Sequence, residues 1–544
     1  MSNNNSLDKV ILKFSEEISK YWPRKIAKDS SSISKNPNYG IFCEGFFAES
    51  GPNYVVRIGS ITKELEKIFN TKSLALLQNG KNKEPLKHMI WKSFDIEDTI
   101  GIYDEIYANF SSFKKEYIKA ITKSYYYFIK FLFLIKKEKW FFKIKLFGIE
   151  IGDLIYDEMI KYYEPIKDIS EKIYLIKTID KKYKSIFNKT FIYIFSCNFL
   201  YKKYQPKVYL TTHTQYSSYG IPSRCFAKKG VQIIETNDDL ILFYKKHTTP
   251  KFNEGTKNLI TLKLEEISFD SKKMQEIDEL LNKRITGKEE QIDVKMAYHN
   301  KKIYEINDLK KELGITNNNP FVFVFAHVFA DAPRCLTTML LFKDYFDWLN
   351  QTLKHLPSNQ KVNWIIKPHP SSKAYNEIGQ VKKMIEELNT KNNVYLCPEN
   401  LSTASVINCA KAIITGQGTV GMEFACFGIP VVIIGSAFYS GFGFNIEPKT
   451  QKEYFKILEN IQSQEPLNNI QIETAKKVIY SFFSLSNKDF SLIDTKIKDL
   501  VWGCSQDQDL TSAYKLMTER LKTNDPKKLH FCELTRKYFE KKSL

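Results

Sequence analysis

Arginine is scarce in this sequence, cysteine is never paired, and no apolar run is long; each shortage removes a class of function. Only seven of the 81 basic residues are arginine: Arg24, Arg57, Arg224, Arg284, Arg334, Arg520 and Arg536. Lysine therefore carries the formal net charge of +19. With no RNA-binding RNP signature, zinc-finger pattern or arginine-rich tract beside it, that excess does not point to nucleic acid. The nine cysteines stand singly, without a Cys-x-x-Cys pair. Such dispersal reads as reduced thiols rather than a disulfide framework or a zinc site. The longest apolar runs, Tyr125 to Ile129 and Phe131 to Ile135, fall far short of the ~20 residues that cross a bilayer. The opening Met1-Ser-Asn-Asn-Asn-Ser has neither the basic nor the apolar part of a secretory signal. The expected location is the cytoplasm.

What is present builds cores. A chain of 544 residues with 43% hydrophobic and 14% aromatic content folds as more than one globular unit. From Tyr39 to Glu105 short apolar runs alternate with turn residues, as in Asn38-Tyr-Gly-Ile-Phe-Cys-Glu-Gly-Phe-Phe and Tyr54-Val-Val-Arg-Ile-Gly, which predicts strands. Ser112 to Lys145 is dense in aromatics and lysines, above all from Ser124 to Lys143. It fits either an interfacial helix reaching for anionic headgroups or a buried helix followed by a basic turn. Strand Lys207-Val-Tyr-Leu-Thr-Thr-His, helix Ser217 to Lys229 and strand Gly230-Val-Gln-Ile-Ile-Glu form a βαβ unit. Residues 251–310 read as a helical linker.

The second half repeats this logic. Apolar strands at Pro320 to His327, Asn363 to Lys367, Val394 to Leu396, Ala412 to Thr415 and Pro430 to Ile434 are separated by helical patterns. That alternation predicts a parallel, doubly wound sheet with ligands at the strand C-termini. The fold class is α/β, with two facing Rossmann-like domains and a helical insertion at about 106–190. The expected division is 1–305, 306–474 and a helical segment 475–544.

Chemistry gathers at strand ends. Lys367-Pro-His-Pro-Ser-Ser follows a strand and offers Lys367, His369, Pro370 and Ser371 to a ligand, with the prolines fixing the loop. Ile414-Thr-Gly-Gln-Gly-Thr-Val-Gly-Met-Glu runs from a strand through a glycine-rich turn into a helix, a shape suited to phosphate. It contributes Thr415, Gly416, Gly418, Thr419 and Glu423, the last placed for ribose hydroxyls. His213, after a strand, is followed by Arg224; His327, after another, is followed by Asp331 and Arg334. Guanidinium is the natural bidentate partner of a phosphate or a sugar-acid carboxylate.

These pieces resemble bacterial capsule- and lipopolysaccharide-type glycosyltransferases of the GT-B fold that use CMP-activated sugars. The resemblance is carried by Lys367-Pro-His-Pro, by Thr415-Gly-x-Gly-Thr419 leading to Glu423-Phe-Ala and Gly428-Ile-Pro-Val, and by Gly435-Ser-Ala-Phe-Tyr-Ser-Gly. Glu44-Gly-Phe is similar to the acidic-Gly-Phe element of the β-Kdo transferases, although Cys43-Glu44 keeps one carboxylate where an acidic pair is usual. Gly152-Asp153 resembles a glycine-aspartate element of the same group. The resemblance implies a nucleotide-sugar donor held by His327, Arg334, Lys367, His369, Pro370, Ser371, the Thr415 to Thr419 turn and Glu423. Glu44, Asp153 or His213 would supply acid/base chemistry. It further implies a glycan or glycolipid acceptor, no metal and no cofactor. Contact with the anionic inner membrane face would suit the lysine excess. A CDP-alditol phosphotransferase of teichoic-acid type and a non-enzymatic basic membrane- or nucleic-acid-binding protein are the rival readings.

Overall fold

A computed structural model describes residues 4–23, 39–46, 50–79, 82–96, 98–102, 118, 121–127, 129, 142, 144–162, 176–237, 240–288, 292–298, 300–388, 393–485, 492–503 and 507–543. The chain forms two compact units, one of Met1–Met159, Lys167–Pro250 and Ser486–Leu544, the other of Ile160–Ile166 and Lys251–Leu485.

The first unit is built on strands β1 (Tyr39–Glu44), β2 (Lys72–Leu77), β3 (Asp98–Gly101), the two-residue hairpin β4 (Lys145–Leu146) and β5 (Ile149–Glu150), then β6 (Val208–Thr211), β7 (Gln232–Asn237) and β8 (Leu240–Phe243). Its six-stranded sheet has the order β3-β2-β1-β6-β7-β8, parallel except for the antiparallel β7–β8 pair. Both faces are covered, so β1 is buried along its whole length, as a continuous apolar strand requires.

Tyr54-Val-Val-Arg-Ile-Gly, expected as a strand, lies inside the helix Pro52–Phe69. Pro52 sits in its first turn and Asn70, at φ 44°, ends it in the left-handed conformation. Tyr54, Val55, Val56, Ile58, Ile61 and Leu65 are all buried, as are Asn53, Arg57, Ser60 and Thr62 of the same helix, so it is enclosed nearly all round and a short apolar window of it mimics a strand. The C-terminal helices Leu510–Leu521 and His530–Ser543 return to this unit: Ala513, Tyr514, Met517 and Phe531 share its core with Phe14 and Ile18.

The second unit carries β9 (Phe321–Phe325), β10 (Asn363–Lys367), β11 (Val394–Leu396), β12 (Ala410–Thr415) and β13 (Val431–Ile433). They form an all-parallel sheet of order β11-β10-β9-β12-β13. The boundary expected at residue 305 is corrected, because residues 251–305 belong to this unit. Ile260, Ile277, Leu281 and Tyr304 pack in one core with Phe323, Ile413 and Val431, so the stretch read as a linker covers a face of the second sheet. The segment 475–544 also divides: the helix Asn469–Ser484 stays here while the later helices join the first unit.

Of the expected insertion, 106–117, 119–120, 128, 130–141, 143 and 163–175 lie outside the described residues, and with them most of the aromatic and lysine-rich stretch. No helix among the described residues is long and apolar enough to cross a membrane.

Candidate functional site

Strand order identifies where each sheet offers a crevice. In a doubly wound sheet, ligands bind outside the strand C-termini where the winding reverses. That reversal lies between β1 and β6 in the first unit and between β9 and β12 in the second. Glu44 ends β1 and Thr211 ends β6; His327 follows β9, and Thr415 ends β12.

In the second unit the polar groups converge around stacked rings. His327 lies 4.0 Å from the Tyr345 ring at 17° and 5.6 Å from the His369 ring at 26°. A Cβ on Gly416 would stand 3.1 Å from Tyr345 and 3.3 Å from His327, so the turn lies close against the stack. His369 caps the 3-10 turn Pro370–Tyr375: its Nδ1 accepts the Ser371 N–H at 3.1 Å. With Nδ1 as acceptor, the proton of the neutral ring is on Nε2. Burial, and then the neighbouring His327, pushes the His369 pKa down to about 3, so the ring is a neutral donor. Burial also lowers His327, opposed by Asp331.

Lys367 ends β10 with 8% of its surface exposed. Its Nζ meets only the Leu401 carbonyl at 3.5 Å and Cys397 Sγ at 4.0 Å, and no carboxylate among the described residues. Lys301 is half-buried, and burial followed by the Lys367 charge lowers its pKa. A cation held this way favours an incoming anion. Sequence reasoning missed Gln417: its Oε1 accepts from Asn253 Nδ2 at 2.6 Å, while its buried Nε2 has no partner among the described residues.

Two expected ligand groups are otherwise engaged. Glu423, read as a ribose acceptor, is buried with Oε1 on Arg284 Nη2 at 2.8 Å and Oε2 on the Tyr298 hydroxyl at 3.1 Å. Arg334 donates through Nη1 to the carbonyls of Leu340 and Phe342 at 3.3 and 3.1 Å, which folds its own loop.

In the first unit Glu44 is 1% exposed and joins the ends of two strands. Oε1 accepts the Phe46 N–H at 2.8 Å; Oε2 accepts the Thr212 N–H at 3.1 Å and the Thr212 hydroxyl at 2.5 Å. Gly45 allows this turn, since a Cβ there would meet the Leu76 carbonyl and Leu77 at 2.8 Å. The Thr212 hydroxyl is in turn 3.0 Å from His213 Nδ1, and the half-exposed His213 ring lies beside Tyr54 and Tyr219. Asp153, expected among the acid/base groups, is buried in an ion pair. Both its oxygens take Arg224, at 2.6 and 2.7 Å, and Arg224 also donates to the Glu150 carbonyl at 2.9 Å. The guanidinium expected to meet a ligand anchors a helix to the β4–β5 hairpin.

The sequence has an Asp-x-Asp triplet, Asp507-Gln-Asp509, of which Asp509 caps the helix Leu510–Leu521. No cluster of three His, Cys, Asp or Glu side chains suits a metal among the described residues.

Glu377, also unmarked by any motif, holds the loop after β9. Its oxygens accept the N–H groups of Phe329 and Ala330 at 2.8 and 3.0 Å, while burial raises its pKa to about 7. A folded value above the ordinary 4.5 means the native state binds the proton more tightly. This contribution is therefore complete below about pH 4.5 and lost as pH rises through about 7. Denaturation of Glu377→Gln across that interval is expected to lack a decline on the order of 1–3 kcal/mol that wild type shows. Equal slopes in the two proteins would refute the assignment.

Residues 278–466 match the family model described as capsule polysaccharide biosynthesis protein. The matched segment lies in the second unit. It spans roughly a third of the chain and includes Lys367-Pro-His-Pro and the Thr415 to Thr419 turn, in agreement with the capsule-synthesis part of the resemblance read from those motifs. Among solved structures, the chain is similar to the KpsC β-Kdo 2,4 transferase of Thermosulfurimonas dismutans, at 11% identity over 50% of this chain and 79% of that one, TM-score 0.32. For the β-Kdo 2,7 transferase of the same KpsC the figures are 12%, 53%, 88% and 0.31. For a glycosyltransferase of Rickettsia africae they are 10%, 90%, 100% and 0.25. No curated protein matches the chain.

Proposed function

We propose that the chain is a glycosyltransferase of surface-polysaccharide synthesis, which moves a sugar from a CMP-activated donor to a growing glycan or glycolipid. The observation that carries this reading is the second unit's switch point, where the neutral His369 ring stacks on His327 beside the Gly416 turn and the buried Lys367 ends the adjoining strand β10. Donors held in place before reaction are what a leaving phosphate requires. The capsule-synthesis segment and the His-Pro resemblance support a nucleotide-activated sugar and, more narrowly, CMP.

In the transfer, the bond from the anomeric carbon to phosphate breaks and a bond to the acceptor oxygen forms. The acceptor proton passes to a base, and CMP leaves with the charge. His213 is the base this reading assigns. Glu44 lies 1% exposed with its oxygens on Phe46 and Thr212, and Asp153 is held by Arg224. The lysine excess suits a protein that handles anionic donors beside an anionic membrane face.

A thermal-shift series with CMP, CDP, UDP, GDP and ADP tests the donor. A nucleotide at a hundredfold excess over its Kd adds about 2.7 kcal/mol to the unit that binds it, a rise of several degrees. The largest shift is expected with CMP. A preference for CDP together with transfer of a phosphoalditol would favour the phosphotransferase reading. Response to none of the five would sink both.

A further inference from the structure

We propose that Thr212 is a positioning residue that fixes His213 in the tautomer protonated on Nδ1, with the Glu44 carboxylate behind it. The inference rests on His213 as the base of the transfer, and it assigns a part to a residue that no motif marks. A threonine hydroxyl has one proton. Here that proton goes to Glu44 Oε2, 2.5 Å away, while the neighbouring backbone N–H of Thr212 reaches the same oxygen at 3.1 Å. The hydroxyl oxygen can meet His213 Nδ1, 3.0 Å distant, only as an acceptor, so Nδ1 carries the hydrogen. Nε2 of the neutral ring then holds the lone pair that a general base needs.

The backbone enforces the direction of this chain. Glu44 is the last residue of β1 and Thr212 follows the last residue of β6, and these strands are hydrogen-bonded neighbours. Phe46 N–H on the other Glu44 oxygen keeps the carboxylate from turning away. Tyr219 lies 5.5 Å from the His213 ring and 5.6 Å from the Phe46 ring, so the acidic-Gly-Phe turn and the histidine share a wall. A carboxylate that reaches an imidazole through a hydroxyl orients the ring and stabilises the cation formed when the base takes a proton.

The test reads the tautomer directly in the full chain labelled with 15N-histidine, near pH 8, where an ordinary imidazole is neutral. The His213→Gln spectrum identifies the resonance among the eight histidines. Wild type is expected to show His213 Nδ1 in the protonated range and Nε2 in the unprotonated range. Thr212→Val, which keeps the shape and removes the hydroxyl, is expected to shift the pattern toward a proton on Nε2; Thr212→Ser is expected to restore it. A wild-type ring protonated on Nε2, or a pattern unchanged in Thr212→Val, would overturn the proposal. Where transfer is measured, Thr212→Val is expected to lower kcat by ~10²-fold with KM unmoved, serine recovering most of it. Absence of any transfer would count against the transferase reading while leaving the tautomer result to decide this one.

Discussion

Replacing His369 with alanine is expected to remove stabilisation by the donor nucleotide and to lower transfer by ~10²–10³-fold, the effect of deleting one preorganised donor to developing charge. The expectation follows from the hydrogen bond on the other ring nitrogen. Ser371 N–H occupies Nδ1, which leaves the Nε2–H for a ligand. With its pKa near 3, the ring stays a neutral donor throughout the working range. The linkage sign agrees: a depressed folded value disfavours the native state below about pH 6.5, most fully below about pH 3, and stability from this group rises as pH climbs between the two. Two variants separate chemistry from folding. Asparagine can accept the Ser371 N–H as a cap and is expected to hold the fold near wild type while transfer is lost. Glutamine extends an amide toward the Nε2 position and is expected to retain a part of the rate. Wild-type turnover in the alanine variant would end the assignment of His369 to the donor.

The second sheet was legible because its strands are unbroken apolar runs, Phe321-Val-Phe-Val-Phe above all, and strands buried on both faces are written that way. Lys367, His369 and Thr415 were legible for the same reason, since each stands where such a run stops. Partners distant in sequence were not. Glu423 looked like a ribose acceptor because Arg284 lies 139 residues away in a stretch whose charge suggested a linker. That stretch is amphipathic, and its apolar side closes the core around Phe323 and Ile413. Thr212 stands between two candidates, yet its part depends on Glu44, 168 residues earlier, a pairing set by strand order. Glu377 illustrates a further limit: a carboxylate that serves two backbone N–H groups carries no spacing signature at all.

Removing Asp153 is expected to cost stability rather than catalysis, the largest such loss predicted for this chain. Arg224 is 2% exposed, and its two terminal nitrogens meet the two Asp153 oxygens. Asp153→Ala would take a bidentate carboxylate away from a buried guanidinium, at a cost of about 3–5 kcal/mol. Arg224→Ala strands the carboxylate and is expected to cost about as much. If the pair acts as one unit, the double variant with Asp153→Leu and Arg224→Met removes both charges, keeps much of the packed volume and recovers most of the loss. The Glu150 carbonyl, which also accepts from Arg224, loses that bond in any Arg224 variant, so recovery is expected to be incomplete. Melting of the four proteins gives the coupling energy, and transfer by the double variant supplies the second axis. A catalytic aspartate would show the reverse pattern, with stability preserved in Asp153→Ala and turnover lost in every variant that lacks the carboxylate. A double variant that folds and transfers within a few-fold of wild type is the expected outcome, because the bidentate Arg224 pair gives Asp153 a structural part that two apolar side chains can replace.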